Sequence, residues 1–213
     1  MADELVLYTN PMSRGRIARW MLEEVGAPYE TQVLDYGTTM KGADYLAINP
    51  MGKVPAIRHV RGGAETVVTE GAAICAYLAD AFPDAGLVPP PAERGAYYRW
   101  LFFAAGPVEQ AITNASLGVE VTPERERMVG YGSKALVLDV LEAAVSANDY
   151  IAGTRFSAAD VYVGSQVGWG LTFGTIEERP AFRAYWDRIS AREAYGRGNA
   201  RDDALMPQGE AGS

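Results

Sequence analysis

The sequence predicts a two-part protein, a small mixed α/β domain over residues 1–81 followed by an all-helical domain over residues 93–198. Strand-type and helix-type hydrophobic patterns alternate only in the first part. Residues 82–92 then hold Pro83, Gly86, Pro89, Pro90 and Pro91, a density that neither a helix nor a strand survives. Beyond this linker the apolar residues recur at helical spacing and no strand pattern is convincing.

Leu5-Val6-Leu7-Tyr8 is a short run of strand formers that stops at the turn signal Asn10-Pro11. Ala18, Met21, Leu22 and Val25 then fall at i, i+3, i+4 and i+7, and Gly26 and Pro28 end that helix. Residues 29–35 read as a second strand, so the opening unit is a right-handed βαβ with parallel strands. An irregular stretch follows. Residues 54–60 and 65–69 read as an antiparallel hairpin around Arg61-Gly62-Gly63-Ala64. A helix runs from Gly71 to Ala81, with Ile74, Cys75 and Leu78 on one face.

In the second part, residues 93–118 and 123–147 read as two long helices, the later one capped by Thr122 with Pro123 at its first position. Ser157-Ala158-Ala159-Asp160 is a capping box that opens another helix. Pro180 starts a further one, with Phe182, Tyr185, Trp186 and Ile189 as its apolar stripe. Residues 199–213 are small and polar and are expected to be a disordered tail.

Composition removes several classes of function. The apolar fraction of 48% in 213 residues is enough for a sizeable core and too high for a disordered chain. A net charge of −8 argues against non-specific nucleic-acid binding. No run approaches the ~18 apolar residues of a membrane helix. The acidic start MADELVLYTN lacks the basic region of a signal peptide, so a cytoplasmic location is expected. One cysteine excludes an internal disulfide, and with one histidine it excludes a zinc site of the usual Cys/His kind. Ser-His-Asp and Cys-His mechanisms go too, unless the sole His59 lies in the pocket.

Four segments carry a resemblance. They are Leu7-Tyr8-Thr9-Asn10-Pro11-Met12-Ser13-Arg14-Gly15-Arg16, continued by residues 19–24; residues 45–57, which include Asn49-Pro50-Met51-Gly52-Lys53-Val54-Pro55; Thr69-Glu70-Gly71 with residues 72–78; and residues 150–153 with Phe156-Ser157-Ala158-Ala159-Asp160-Val161. In order and spacing the chain resembles the cytosolic glutathione transferases, nearest in flavour to the bacterial, theta-like serine type. The resemblance implies a glutathione transferase fold: an α/β thioredoxin-like N-terminal domain plus an all-α C-terminal helical domain, in a homodimer. It implies glutathione as cosubstrate, an apolar electrophile as second substrate, and no prosthetic group or metal.

Ser13 alone is a serine before a helix, and an N-cap is its ordinary role. The resemblance gives it another. The nucleophile is the glutathione thiol, and a free thiol near pKa ~8.5 is only a few per cent thiolate at neutral pH. A hydroxyl at a helix N-terminus favours the anion by a hydrogen bond and by the helix dipole. Each pKa unit takes about 1.4 kcal/mol, and a hydrogen bond to a charged group supplies roughly 1.5–3 kcal/mol. Tyr8 is the rival donor, although strand core is its plainer role. Asn10 and Arg14 are further donors in the loop.

By the same resemblance Val54-Pro55 is a cis pair whose Val54 backbone binds the cysteinyl part of glutathione, a short strand addition. Glu70 receives the γ-glutamyl ammonium and the helix starting at Gly71 holds its carboxylate. Gly71 departs from the family's Ser or Thr, which predicts weaker glutathione binding. Lys53 and Lys41 are candidates for the glycyl carboxylate. The electrophile pocket is expected between the domains, with Met12, Phe103 and Trp169 as candidate lining. Cys75, on an apolar helix face, reads as an inert buried thiol, and the first loop lacks the cysteine of thiol-transferase members. Two non-enzymatic readings stay open, a binding or regulatory protein that keeps the fold and a carrier of hydrophobic ligands.

Overall fold

A computed structural model describes residues 3–206. The chain forms two compact units, Met1–Ala85 together with Arg192–Ser213, and Gly86–Ala191.

The first unit is built on a four-stranded sheet of order β2-β1-β3-β4, with β1 Glu4–Thr9, β2 Glu30–Val33, β3 Ala56–Arg61 and β4 Ala64–Thr69. β1 and β2 are parallel neighbours and the other pairings are antiparallel. The thioredoxin-like α/β reading holds. Gly62 and Gly63 turn the β3–β4 hairpin at φ 58° and 86°, values that two-residue hairpins demand and that glycine supplies without strain.

Alternation along the strands gives the sheet two buried faces. Leu5, Leu7 and Ile57 lie on one, with α1 (Gly15–Val25) and α3 (Gly71–Ala81) packed on each other. Val6, Tyr8 and Ala56 lie on the other, clustered with Leu34, Met40 and Tyr45. Tyr45 belongs to α2 (Ala43–Ile48), a six-residue helix inside the stretch expected to be irregular. It is too short to show a helical period in sequence.

The second unit is all-helical among its described residues, as expected. It contains α4 (Arg94–Phe103), α5 (Glu109–Ser116), α6 (Lys134–Ala147), α7 (Ala158–Phe173) and α8 (Pro180–Ser190). The helix expected over 93–118 is interrupted by a π-turn at Ala104–Val108, where Pro107 removes a backbone donor from the α ladder. The helix expected from Pro123 begins instead at Lys134. Thr122 closes only a single turn, its carbonyl taking Arg125 and Glu126 N–H, and Gly130 and Gly132 then break the period. The cap is Ser133, whose hydroxyl accepts the Leu136 N–H at 3.2 Å. The capping box at α7 is present as read. The proline-rich segment holds two single 3₁₀ turns, Pro83–Ala85 and Pro91–Glu93.

The expected tail is the largest correction. Gly198 to Asp203 is the second half of α9 (Glu193–Asp203), which packs along α1 in the first unit. Only residues 207–213 of that expectation lie outside the described residues. The helix is polar because its partners are buried charged side chains. Arg192 holds Glu24 through two bonds of 2.7 Å, Arg197 and Arg201 hold Glu23, and Asp202 pairs with buried Arg19 at 2.8 Å. Tyr195 packs edge-on against Trp20 with ring centroids 4.9 Å apart.

Candidate functional site

The loop between β1 and α1 is organised by Asn10. Its buried side chain donates to the Leu34 carbonyl at 2.9 Å and accepts the Met12 N–H at 3.0 Å. Its carbonyl accepts twice from Ser13, from the backbone N–H at 3.0 Å and from the hydroxyl at 2.7 Å. The Ser13 hydroxyl in turn accepts the Gly15 N–H at 2.9 Å. The Ser13 hydroxyl therefore satisfies one N–H at the start of α1, as the plainer reading expects, although the N-cap position itself falls on Arg14. The hydroxyl proton is a different matter. It rests on a carbonyl that keeps the Ser13 N–H if the hydroxyl turns away, so redirecting it leaves that buried acceptor satisfied. A thiolate within reach is the stronger acceptor, because bonds to ionised groups are about twice as strong as neutral ones. Ser13 is half-buried and its neighbour Met12 is 53% exposed.

Gly15 has a steric duty that the sequence reading missed. A Cβ there would lie 1.8 Å from Thr9 Oγ1 and 3.0 Å from Ser13 Oγ, so only glycine lets α1 start this close to the end of β1. A glycine at the first position of a helix was the available signal.

Tyr8 lies in the sheet core. It is 7% exposed and tilted against Tyr45 with ring centroids 5.5 Å apart.

The loop before β3 contains the cis Val54-Pro55 bond. The Lys53 carbonyl is held by the Tyr45 hydroxyl at 2.6 Å and by the Asn49 amide at 2.8 Å. Burial pushes the Tyr45 phenol up to about 12, which keeps it a donor. The Lys41 ammonium donates to the Gly52 carbonyl at 2.6 Å and to that of Met51 at 3.2 Å, so it braces this loop. Lys53 is exposed, with no ion-pair partner among the described residues.

Glu70 has φ 67° and ψ 121°, the one positive φ among the described non-glycine residues. A glutamate rarely adopts this backbone, and such strain concentrates at functional positions. It is exposed, its side chain does not cap α3, and its carbonyl accepts the Ile74 N–H at 2.9 Å. Gly71 follows as the first residue of α3.

Strand register gathers these segments. Ala56 lies opposite Tyr8 on one side and Thr69 on the other. The end of β1, the start of β3 and the end of β4 therefore share one end of the sheet. The Asn10–Gly15 loop, Val54-Pro55 and Glu70-Gly71 all emerge there, and Val54 lies beyond the last paired residue of β3. An unpaired backbone edge, a hydroxyl, a carboxylate and the N-termini of two helices can together orient a small peptide and favour an anion on it.

His59 and Cys75 stay out of this group. His59 is buried, with Nδ1 2.9 Å from the Tyr77 hydroxyl and its ring stacked on Phe82, and burial lowers its pKa. Cys75 is fully buried and burial pushes its thiol up, which fits the inert reading. Phe103 and Trp169 are half-buried on α4 and α7 of the helical unit, Phe103 edge-on to Trp100 at 5.4 Å. Among the described residues no helix is long and apolar enough to cross a membrane, and no group of three or more His, Cys, Asp or Glu is placed to hold a metal ion.

Comparison with known proteins identifies the family. Residues 12–81 match the glutathione S-transferase N-terminal domain and residues 101–193 the C-terminal domain of the same family. The chain is 30% identical to glutathione S-transferase F10 of Arabidopsis thaliana over 90% of this chain and 94% of that one. It is 34% identical to glutathione S-transferase GstA of Escherichia coli O157:H7 over 79% and 80%. Among solved structures, a glutathione transferase from Methylococcus capsulatus has a TM-score of 0.75 at 31% identity, covering 95% of this chain and 100% of that one. A sphingomonad glutathione S-transferase complexed with glutathione has a TM-score of 0.74 at 28% identity, covering 93% and 98%. The chain belongs to the glutathione S-transferase family.

Proposed function

We propose that this protein is a glutathione transferase of the bacterial, theta-like serine type. It binds reduced glutathione on the first unit, stabilises its thiolate, and directs the thiolate at an apolar electrophile. The carrying observation is the convergence of three motif segments at one sheet end, with the Ser13 hydroxyl resting on an acceptor it can leave. In this reading Ser13 turns its proton to the glutathione sulfur, and the N-terminus of α1 adds its dipole. Val54 pairs its backbone with the cysteinyl residue. Glu70 takes the γ-glutamyl ammonium, and the first turn of α3 at Gly71 takes the adjacent carboxylate. Lys53 meets the glycyl carboxylate, while Lys41 supports it from the loop it braces. Met12 borders the electrophile, with Phe103 and Trp169 as candidates on the helical unit. The reaction needs no prosthetic group, and the protein acts as a cytoplasmic homodimer.

The test is a calorimetric titration of reduced glutathione at neutral pH, repeated in buffers of different ionisation heat. Saturable binding of one glutathione per chain with proton release is expected. No heat up to several millimolar would overturn the reading in favour of a binding protein without the chemistry.

A further inference from the structure

We infer that Arg16 is a positioning residue for thiolate stabilisation, tying the Ser13 loop to the C-terminal helix. This rests on the Ser13 reading above. Arg16 follows Ser13 by one helical turn, and its guanidinium spans two elements. Nε donates to the Pro11 carbonyl at 2.6 Å, and Nη2 reaches Asp203 at 2.7 Å, with Asn199 3.5 Å from Nη1. Pro11 has no N–H, so its carbonyl is its only backbone handle, and that carbonyl sits within the turn that Ser13 closes onto Asn10.

As a contribution to stability the pair is minor. The Asp203 side chain is 65% exposed, and exposed pairs are worth little. α9 has other anchors on α1, above all the buried Arg19–Asp202 pair. What Arg16 adds is direction. A planar fork that grips a loop carbonyl with one nitrogen and a helix carboxylate with another fixes both angles, which a flexible ammonium cannot do. It sets the curvature of residues 11–13 and hence the line along which the Ser13 hydroxyl meets the sulfur.

The experiment measures the pKa of the enzyme-bound glutathione thiol, from thiolate absorbance and from the pH profile of kcat/KM, in Arg16→Lys, Asp203→Asn and Ser13→Ala. Arg16→Lys and Asp203→Asn are expected to raise that pKa by about one and to lower kcat about tenfold below it, with the dissociation constant of glutathione changed less than about twofold. Ser13→Ala should raise it further. A lysine that restores the wild-type profile would mean that charge alone matters, and would overturn the proposal. So would a lowered thiol pKa in Asp203→Asn, the result expected if Arg16 acted as a free positive charge. If Ser13→Ala shifts the profile and neither other variant does, the positioning role fails and the Ser13 reading stands. If Ser13→Ala leaves the profile unchanged, both fail.

Discussion

Ser157 before α7 and Ser13 before α1 stand in contrasting surroundings. Before α7, Ser157 is 2% exposed and the residue three positions on is Asp160. One Asp160 oxygen accepts the Ser157 N–H at 2.9 Å and its hydroxyl at 3.0 Å. The other accepts the Ile151 N–H at 2.7 Å and the Tyr185 hydroxyl at 2.9 Å. Every polar group there is closed in. Before α1, Ser13 is half-buried and the residue three positions on is Arg16, which reaches away to Pro11 and Asp203. No carboxylate closes the box, and the hydroxyl proton rests on a shared carbonyl. In the reading proposed above, what sets Ser13 apart from Ser157 is that its hydroxyl proton rests on an acceptor that keeps another donor.

The comparison breaks first at Asp160. Asp160→Ala orphans four donors in a dry site, which at about 1–3 kcal/mol for a lone group and less when several relax together predicts a loss of about 3–5 kcal/mol. Urea midpoints at neutral pH measure it, and a wild-type midpoint would mean that the box is not the structural element described. Titration of the same group sharpens the point. Burial outweighs the four donors and pushes the Asp160 carboxyl up from 3.8 to about 6. The fold therefore holds that proton in a range where the unfolded chain has released it. Stability from this group is full below about pH 4 and falls as pH rises to about 6, by up to about 3 kcal/mol. Asp160→Asn should lack that slope. Equal slopes in both proteins would place the titration elsewhere.

At Ser13 the expectation reverses. Ser13→Ala removes one charge-assisted bond of roughly 1.5–3 kcal/mol, a loss of about ten- to a hundredfold in kcat/KM with a standard electrophile. The melting midpoint should move little, since the missing cap is worth about 1 kcal/mol. A variant that unfolds early yet turns over normally would make Ser13 another Ser157.

How far the sequence disclosed this contrast depended on local chemistry. Helix starts with a hydroxyl and a following acid were legible, as at Ser157–Asp160, because the reciprocal bonds are between near neighbours. The hairpin was legible through Gly62-Gly63 for the same reason. The site segments were legible by resemblance, and β-register then explains why Tyr8, Ala56 and Thr69 bring them together. What was missed depends on distant partners. The second half of α9 reads as a tail because its residues are small and polar, and the buried partners of this helix and its cap, Glu23, Glu24 and Arg19, lie about 170 to 180 positions earlier. The grip of Arg16 on Asp203 was invisible for that reason. The false start at Pro123 shows the converse, a good local signal overruled by Gly130 and Gly132 before a helix could propagate.

A third helix start extends the comparison and carries the smallest expected effect. α3 follows Glu70 and opens at Gly71, with neither a capping side chain nor a hydroxyl. The anion site proposed there has backbone donors alone. Gly71→Ser adds one donor to a charged group, nominally about 1.5–3 kcal/mol, less what a bridging water already supplies. A tightening of about three- to tenfold in glutathione affinity is expected by calorimetry, with kcat unchanged because the new bond forms equally in ground and transition states. Gly71→Ala is the necessary companion, since any side chain here also restricts the unfolded chain and stiffens the first turn. If alanine tightens binding as much as serine, the gain comes from the backbone, and the helix start at Gly71 was never short of a donor. If serine alone does so, α3 is an open anion site like α1, with its hydroxyl missing.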